Sequence, residues 1–144
     1  MRVFVLEDDA WRMQHLGNLA QEWGWEGWTL THLETSVRWR DFRPPYDLIL
    51  LDHDLGGRQL TGHEDDGLAF VMKVRDLIPK DTPVIIHSFN PDGAARMCKA
   101  LQEVDVLALV APFGGPLWMN LVQQAYWRAR EKPAQSAEVV TRQV

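Results

Sequence analysis

One cysteine, Cys98, occurs in 144 residues. An internal disulfide is thereby excluded, and Cys98 falls in a helix-like segment where it reads as a small apolar residue. This usage predicts a reducing, cytoplasmic compartment. Basic charge is scarce as well, since 15 Lys and Arg stand against 20 Asp and Glu, a net charge of −5. Non-specific binding to nucleic acid or to an anionic membrane needs a basic surface, so neither is expected. No apolar run approaches the roughly 18 residues of a membrane span. The opening Met1-Arg2-Val3-Phe4-Val5-Leu6 meets acid at Glu7, too early for the apolar core of a signal segment, so no targeting and no membrane contact are expected.

What is present suits one core in one domain: 46% of the residues are hydrophobic, and they fall in short runs separated by amphipathic stretches. Val3 to Leu6 reads as a strand buried on both faces and ends in Glu7-Asp8-Asp9. Asp9 can cap a helix carrying Met13, Leu16, Ala20 and Trp23, which Gly24 stops. Trp25 to Leu30 predicts an edge-like second strand, and Glu34 to Phe42 a short helix ended by Arg43-Pro44-Pro45. Asp47-Leu48-Ile49-Leu50-Leu51-Asp52 is the strongest strand signal. A polar loop from His53 to Asp66, long for a βα connection, leads to a helix with Phe70, Val71, Val74 and Ile78. Pro83 to Ser88 predicts a fourth strand. Asn90-Pro91 then supplies a cap and a first-turn proline for a helix with Ala94, Met97, Cys98 and Leu101 on one face. Val106 to Val110 predicts the fifth strand, and Gly114-Gly115-Pro116 opens a last helix through Leu121, Val122, Ala125 and Ala129. Residues 1–130 thus form the expected domain, and 131–144, without periodicity, a flexible tail.

Five strands alternating with five helices predict an α/β fold, a doubly wound parallel sheet whose ligands bind beyond the carboxyl ends of the strands. Glu7, Asp8 and Asp9 lie there after the first strand, Asp52, His53 and Asp54 after the third, and His87, Ser88 and Asn90 after the fourth. Carboxylates brought together repel unless a cation sits among them, so a divalent metal is expected, Mg or Mn first. With imidazoles added, the set also admits Zn, Ni or Fe.

These residues resemble the response-regulator receiver (CheY-like) superfamily over about residues 1–130, which implies a flavodoxin-like (βα)5 fold with strand order 2-1-3-4-5. Leu6-Glu7-Asp8-Asp9 is similar to the receiver acidic pair, with Asp8 as metal ligand. Asp52 takes the place of the phospho-accepting aspartate, and Ser88 that of the hydroxyl residue touching the phosphoryl group. Two departures matter. Ala111 in Val110-Ala111-Pro112-Phe113 stands where receivers carry a lysine, and Ala108 stands where they carry an aromatic switch residue. Phosphoaspartate signalling loses an electrostatic contact without that lysine. The divergent branch called the cyclic-phosphate processing receiver domain is a better match. Its hallmarks resemble Leu51-Asp52-His53-Asp54-Leu55-Gly56-Gly57, Thr61-Gly62, His87-Ser88-Phe89-Asn90 with Gly93-Ala94 and Met97 following, and Ala111-Pro112-Phe113-Gly114.

That resemblance implies metal-assisted hydrolysis of cyclic or terminal phosphates on nucleotides or RNA ends. Asp52, His53 and His87 are the candidate catalytic residues, the histidines because they titrate near neutral pH. Glu7, Asp8, Asp52 and Asp54 are the candidate metal ligands. Ser88, Asn90, Gly93 and Arg96 are the candidate phosphate contacts, with Arg58 or Arg96 replacing the absent lysine. Each has a plainer reading. His87 precedes Ser88, strand alternation turns neighbours apart, and a packed histidine is the alternative. His53 carries the same alternative. Asn90 caps a helix whatever else it does, and His63-Glu64-Asp65-Asp66 reads as a solvated loop. His15 and His32 read as structural. Of the seven tryptophans, most fit packing positions, and Trp11 alone is placed to stack on a ligand. The expected partner is a small phosphorylated ligand or a nucleic-acid end. Three function classes remain open: a phosphoesterase, a phosphorylated signalling module and a non-catalytic binding domain.

Overall fold

The computed structural model describes residues 1–31, 39, 42–54 and 67–132. Most of the helix expected over Glu34 to Phe42, the loop residues 55–66 with Arg58 and His63-Glu64-Asp65-Asp66, His32, and residues 133–144 lie outside the described residues. Five parallel strands, β1 (Arg2–Leu6), β2 (Glu26–Thr31), β3 (Leu48–Leu51), β4 (Val84–Ile86) and β5 (Ala108–Val110), form one sheet in the order β2-β1-β3-β4-β5. The described residues also carry helices α1 (Ala10–Trp23), α2 (Gly67–Val74), α3 (Pro91–Gln102) and α4 (Pro116–Glu131).

The unbroken apolar runs are explained by how the strands divide their side chains. Phe4, Leu6, Ile49, Leu51, Val84 and Ile86 pack with Phe70, Val71 and Val74 of α2 and Ala94, Met97 and Leu101 of α3. Their neighbours Val3, Val5, Leu48, Leu50 and Ile85 pack the other way, with Leu16 and Ala20 of α1 and Trp118, Val122 and Ala125 of α4. Period-two alternation therefore feeds two cores, and neither face of the central strands can accept polar residues. The edge strand β5 is the exception, with Leu109 and Val110 exposed.

Local chemistry sets the boundaries. Asp9 caps α1 by accepting the Arg12 N–H, and Gly24, at φ 64°, ends it. Asn90 caps α3, with Pro91 in its first turn. Helix α2 stops at Val74 and continues only as a 3-10 turn over Arg75–Leu77, leaving Ile78 extended, because Pro79 disfavours helical geometry in the residue before it. Strands β4 and β5 are shorter than the expected spans Pro83 to Ser88 and Val106 to Val110. Of the tryptophans, Trp25 and Trp118 are buried, whereas Trp11 and Trp127 are mostly exposed. No helix among the described residues is long and apolar enough to cross a membrane.

Just past the ladders the register continues for one more residue. Asp52 N–H donates to Leu6 O at 3.0 Å, His87 N–H to Leu51 O at 2.9 Å and Ala111 N–H to Ile86 O at 2.9 Å. Residues 7, 52, 87 and 111 consequently stand side by side along the carboxyl edge of β1, β3, β4 and β5.

Candidate functional site

Glu7 is fully buried, and both of its carboxylate oxygens are engaged. Oε1 accepts from Arg12 Nη2 at 2.8 Å, from Arg12 Nε at 2.9 Å and from the Asp9 amide at 3.0 Å. Oε2 meets His87 Nε2 at 2.8 Å. Burial alone would raise the Glu7 carboxyl, but the hydrogen bonds from His87 and Arg12 outweigh it and hold the group below the usual carboxylate range. Glu7 is therefore ionised, and His87 donates to it.

Asp52 is buried beside this pair. Its Oδ1 accepts the His53 amide at 2.8 Å, and its Oδ2 lies 3.3 Å from Arg12 Nη2. Burial, then the neighbouring Glu7 charge, push its carboxyl up to about 7, against the pull of Arg12. Glu7, Asp8 and Asp52 each offer one oxygen, and the three atoms lie within 4.8 Å of one another. This is an all-oxygen group of the kind that gathers a hard divalent cation.

Asp54, expected among the metal ligands, turns elsewhere. Its Oδ1 sits 2.8 Å from His53 Nδ1 and accepts from Asn90 Nδ2 at 3.2 Å. These contacts engage one of its two oxygens, and Asp54 does not join the group of Glu7, Asp8 and Asp52. His53 is buried against α3, where the backbone of Gly93 makes room for the ring: a Cβ on Gly93 would stand 2.5 Å from His53 Cγ. Gly67 makes similar room, since a Cβ there would collide with the Asp52 carbonyl. Gly93→Ala is expected to lower stability by about 1–3 kcal/mol through overpacking. It should also displace His53, a change visible as shifted imidazole resonances by NMR together with a lower urea midpoint.

His87 is also corrected by its surroundings. It is fully buried, packs against Phe113 and Trp118 at ring-centroid distances of 5.4 and 6.4 Å, and leaves Nδ1 with no hydrogen-bond partner. The ring is fully buried and held on Glu7, so a role in exchanging protons with a ligand gives way to a positioning role.

Among the expected phosphate contacts, Ser88 is half-buried and its Oγ accepts the Asn90 amide at 3.0 Å, which leaves the hydroxyl proton to donate. Asn90 uses its amide nitrogen on Asp54 and its Oδ1 on the Gly93 N–H at 2.9 Å. The Gly93 amide is thus spent on the cap, a correction to its expected phosphate contact. Arg96 is exposed, and its Nε donates to Asp92 O at 3.4 Å in its own helix. Among the described residues the cation that reaches the site is Arg12, which the sequence reading missed. The signal was there: an arginine in the first turn of α1 opposes the helix dipole, and helical side chains lean toward the N-terminus, here back over the strand ends. Ala111 is fully buried in the core and brings no charge.

Solved structures share this fold. The fold resembles a two-component response regulator from Clostridium difficile at TM-score 0.61 and 16% identity, covering 92% of this chain and 99% of that one. It also resembles the Francisella response regulator 1452 receiver domain at TM-score 0.56 and 21% identity, covering 89% and 98%. A signal receiver domain of a histidine kinase from Syntrophus aciditrophicus aligns at TM-score 0.57 and 18% identity, over 92% and 95%. A search among curated proteins finds no match. Residues 5–103, more than half of the chain, match the family described as the Cyclic-phosphate processing Receiver domain, and the chain belongs to that family of receiver domains.

Proposed function

We propose that this receiver domain processes cyclic or terminal phosphates of nucleotides or RNA ends by metal-assisted hydrolysis. The observation that carries the reading is the position of Asp52. On one side it completes the oxygen cluster with Glu7 and Asp8, and on the other it adjoins the hydrogen-bonded unit His53–Asp54–Asn90.

The donor set favours Mg or Mn. Its three members are carboxylates, and the imidazoles that would favour Zn, Ni or Fe are committed to Asp54 and Glu7. Bound by Asp8 and Asp52, with Glu7 beside them, such an ion supplies positive charge to the phosphate oxygens and to the transition state. Asp54 fixes the His53 ring through Nδ1, and the imidazole so oriented exchanges a proton with attacking water or leaving alkoxide. Asn90 holds Asp54 in that orientation. Ser88 donates its hydroxyl proton to phosphate. His87 contributes by keeping Glu7 in place.

The test is incubation of the protein with 2′,3′-cyclic nucleotides and a panel of divalent metals, beside Asp52→Ala and His53→Ala. Turnover dependent on one hard metal, abolished in Asp52→Ala and reduced about a hundredfold in His53→Ala, is expected. Turnover absent with every metal would sink the reading. A second reading, phosphorylation of Asp52 as in signalling receivers, draws on the same residue at the end of β3, and the buried Ala111 weighs against it. Acetyl phosphate labelling that disappears in Asp52→Asn would favour that reading instead.

A further inference from the structure

The guanidinium of Arg12 lies between two of the three clustered carboxylates, 2.8 Å from Glu7 Oε1 and 3.3 Å from Asp52 Oδ2. Its side chain is 13% exposed, and its Cζ lies 5.3 Å from the centroid of the Phe89 ring, which is itself 70% exposed at the mouth of the site. Glu7 and Asp52 are thus held by a cation that the chain itself provides. A divalent ion between the carboxylates and a guanidinium against them would repel at a few ångströms in a partly desolvated site. The contact to Asp52 is the longer one, and it sits at the end of a flexible stem. The Phe89 face already lies against the guanidinium, so a small swing of the stem can keep that contact while the bond to Asp52 is given up. Phe89 directly follows Ser88, the expected phosphate contact, and the buried Ala111 supplies no positive partner there.

We infer that Arg12 is a tethered counter-ion which a divalent cation displaces from Asp52, and that the displaced guanidinium then clamps the phosphate group that follows. The inference rests on the reading of Glu7, Asp8 and Asp52 as a metal site. It makes Arg12 the cation that stands in for the receiver lysine. It also makes binding ordered: metal frees Arg12, and phosphate captures it. Metal and phosphate therefore bind with positive coupling, because each favours the arrangement the other needs. A planar guanidinium matches the tetrahedral oxyanion through two parallel hydrogen bonds, an option closed to lysine.

Calorimetric titration of Mn²⁺, followed by inorganic phosphate on the Mn²⁺-loaded protein, tests this in the wild type, Arg12→Ala and Arg12→Gln. Arg12→Gln keeps most of the stem and a donor toward Glu7, so it serves where Arg12→Ala does not fold. Removing the competing charge should tighten Mn²⁺ roughly tenfold, and removing the clamp should weaken phosphate roughly tenfold or more. Mn²⁺ binding seen only in the variants would support the same conclusion. Mn²⁺ affinity unchanged or weaker in a variant that melts cooperatively would overturn it, as would phosphate affinity indifferent to residue 12. Mn²⁺ binding absent from all three proteins would instead remove the metal reading on which the inference stands.

Discussion

Asp52→Asn is expected to abolish metal-dependent turnover, by about a thousandfold or more, while making the metal-free protein more stable at neutral pH. Both effects come from one carboxylate. Its ionised form is the one that joins Asp8 and Glu7 around a cation, and burial beside Glu7 raises its carboxyl to about 7 when no cation is there. In the unfolded chain the same group titrates near 4. Between these values the folded protein holds a proton that the unfolded chain has released. Stability of the metal-free wild type should therefore fall as pH rises from about 4 to about 7 and level off above. The amide in Asp52→Asn removes that slope and should gain roughly 2 kcal/mol at pH 7. Urea unfolding of both proteins across this range, with and without Mg²⁺, reads the effect. Added Mg²⁺ should stabilise the wild type at pH 7 and leave the variant unchanged.

His87→Ala is expected to cost about 3 kcal/mol or more, because it strands one oxygen of a buried carboxylate and opens a space beside Trp118. What separates this from loss of a proton carrier is the pH profile. If His87 only positions Glu7, the folded fraction of the variant keeps the wild-type pH dependence of kcat/KM at a lower amplitude. His53→Ala, in contrast, should remove one limb of the profile. A limb lost in His87→Ala and retained in His53→Ala would reverse the two assignments.

The strand runs were legible because a parallel sheet covered on both sides leaves no polar positions. Val3 to Leu6 and Leu48 to Leu51 read as strands for the reason that they divide, residue by residue, between two cores. The location of the site was legible too, since the topology brings the ends of β1, β3 and β4 together. What sequence does not carry is which charged side chain meets which. Glu7 and His87 are 80 positions apart, and their contact depends on the rank that the register forms one residue past the ladders. Asp54 was one of four candidate metal ligands, yet a histidine and an asparagine nearby engage its Oδ1. Arg12 went unread because a basic residue in a helix ordinarily means a solvated face, and only its place in the first turn argued otherwise. The truncation of α2 at Val74 was within reach of the sequence, given Pro79.

Phosphorus-31 NMR of the protein with Mg²⁺ and an excess of a 2′,3′-cyclic nucleotide tests the central claim most directly. The cyclic diester signal is expected to be replaced by a phosphomonoester signal over many turnovers, with no conversion in Asp52→Asn or in chelator. A cyclic diester that persists unchanged with Mg²⁺ and with Mn²⁺, in protein whose fold is intact, would contradict it.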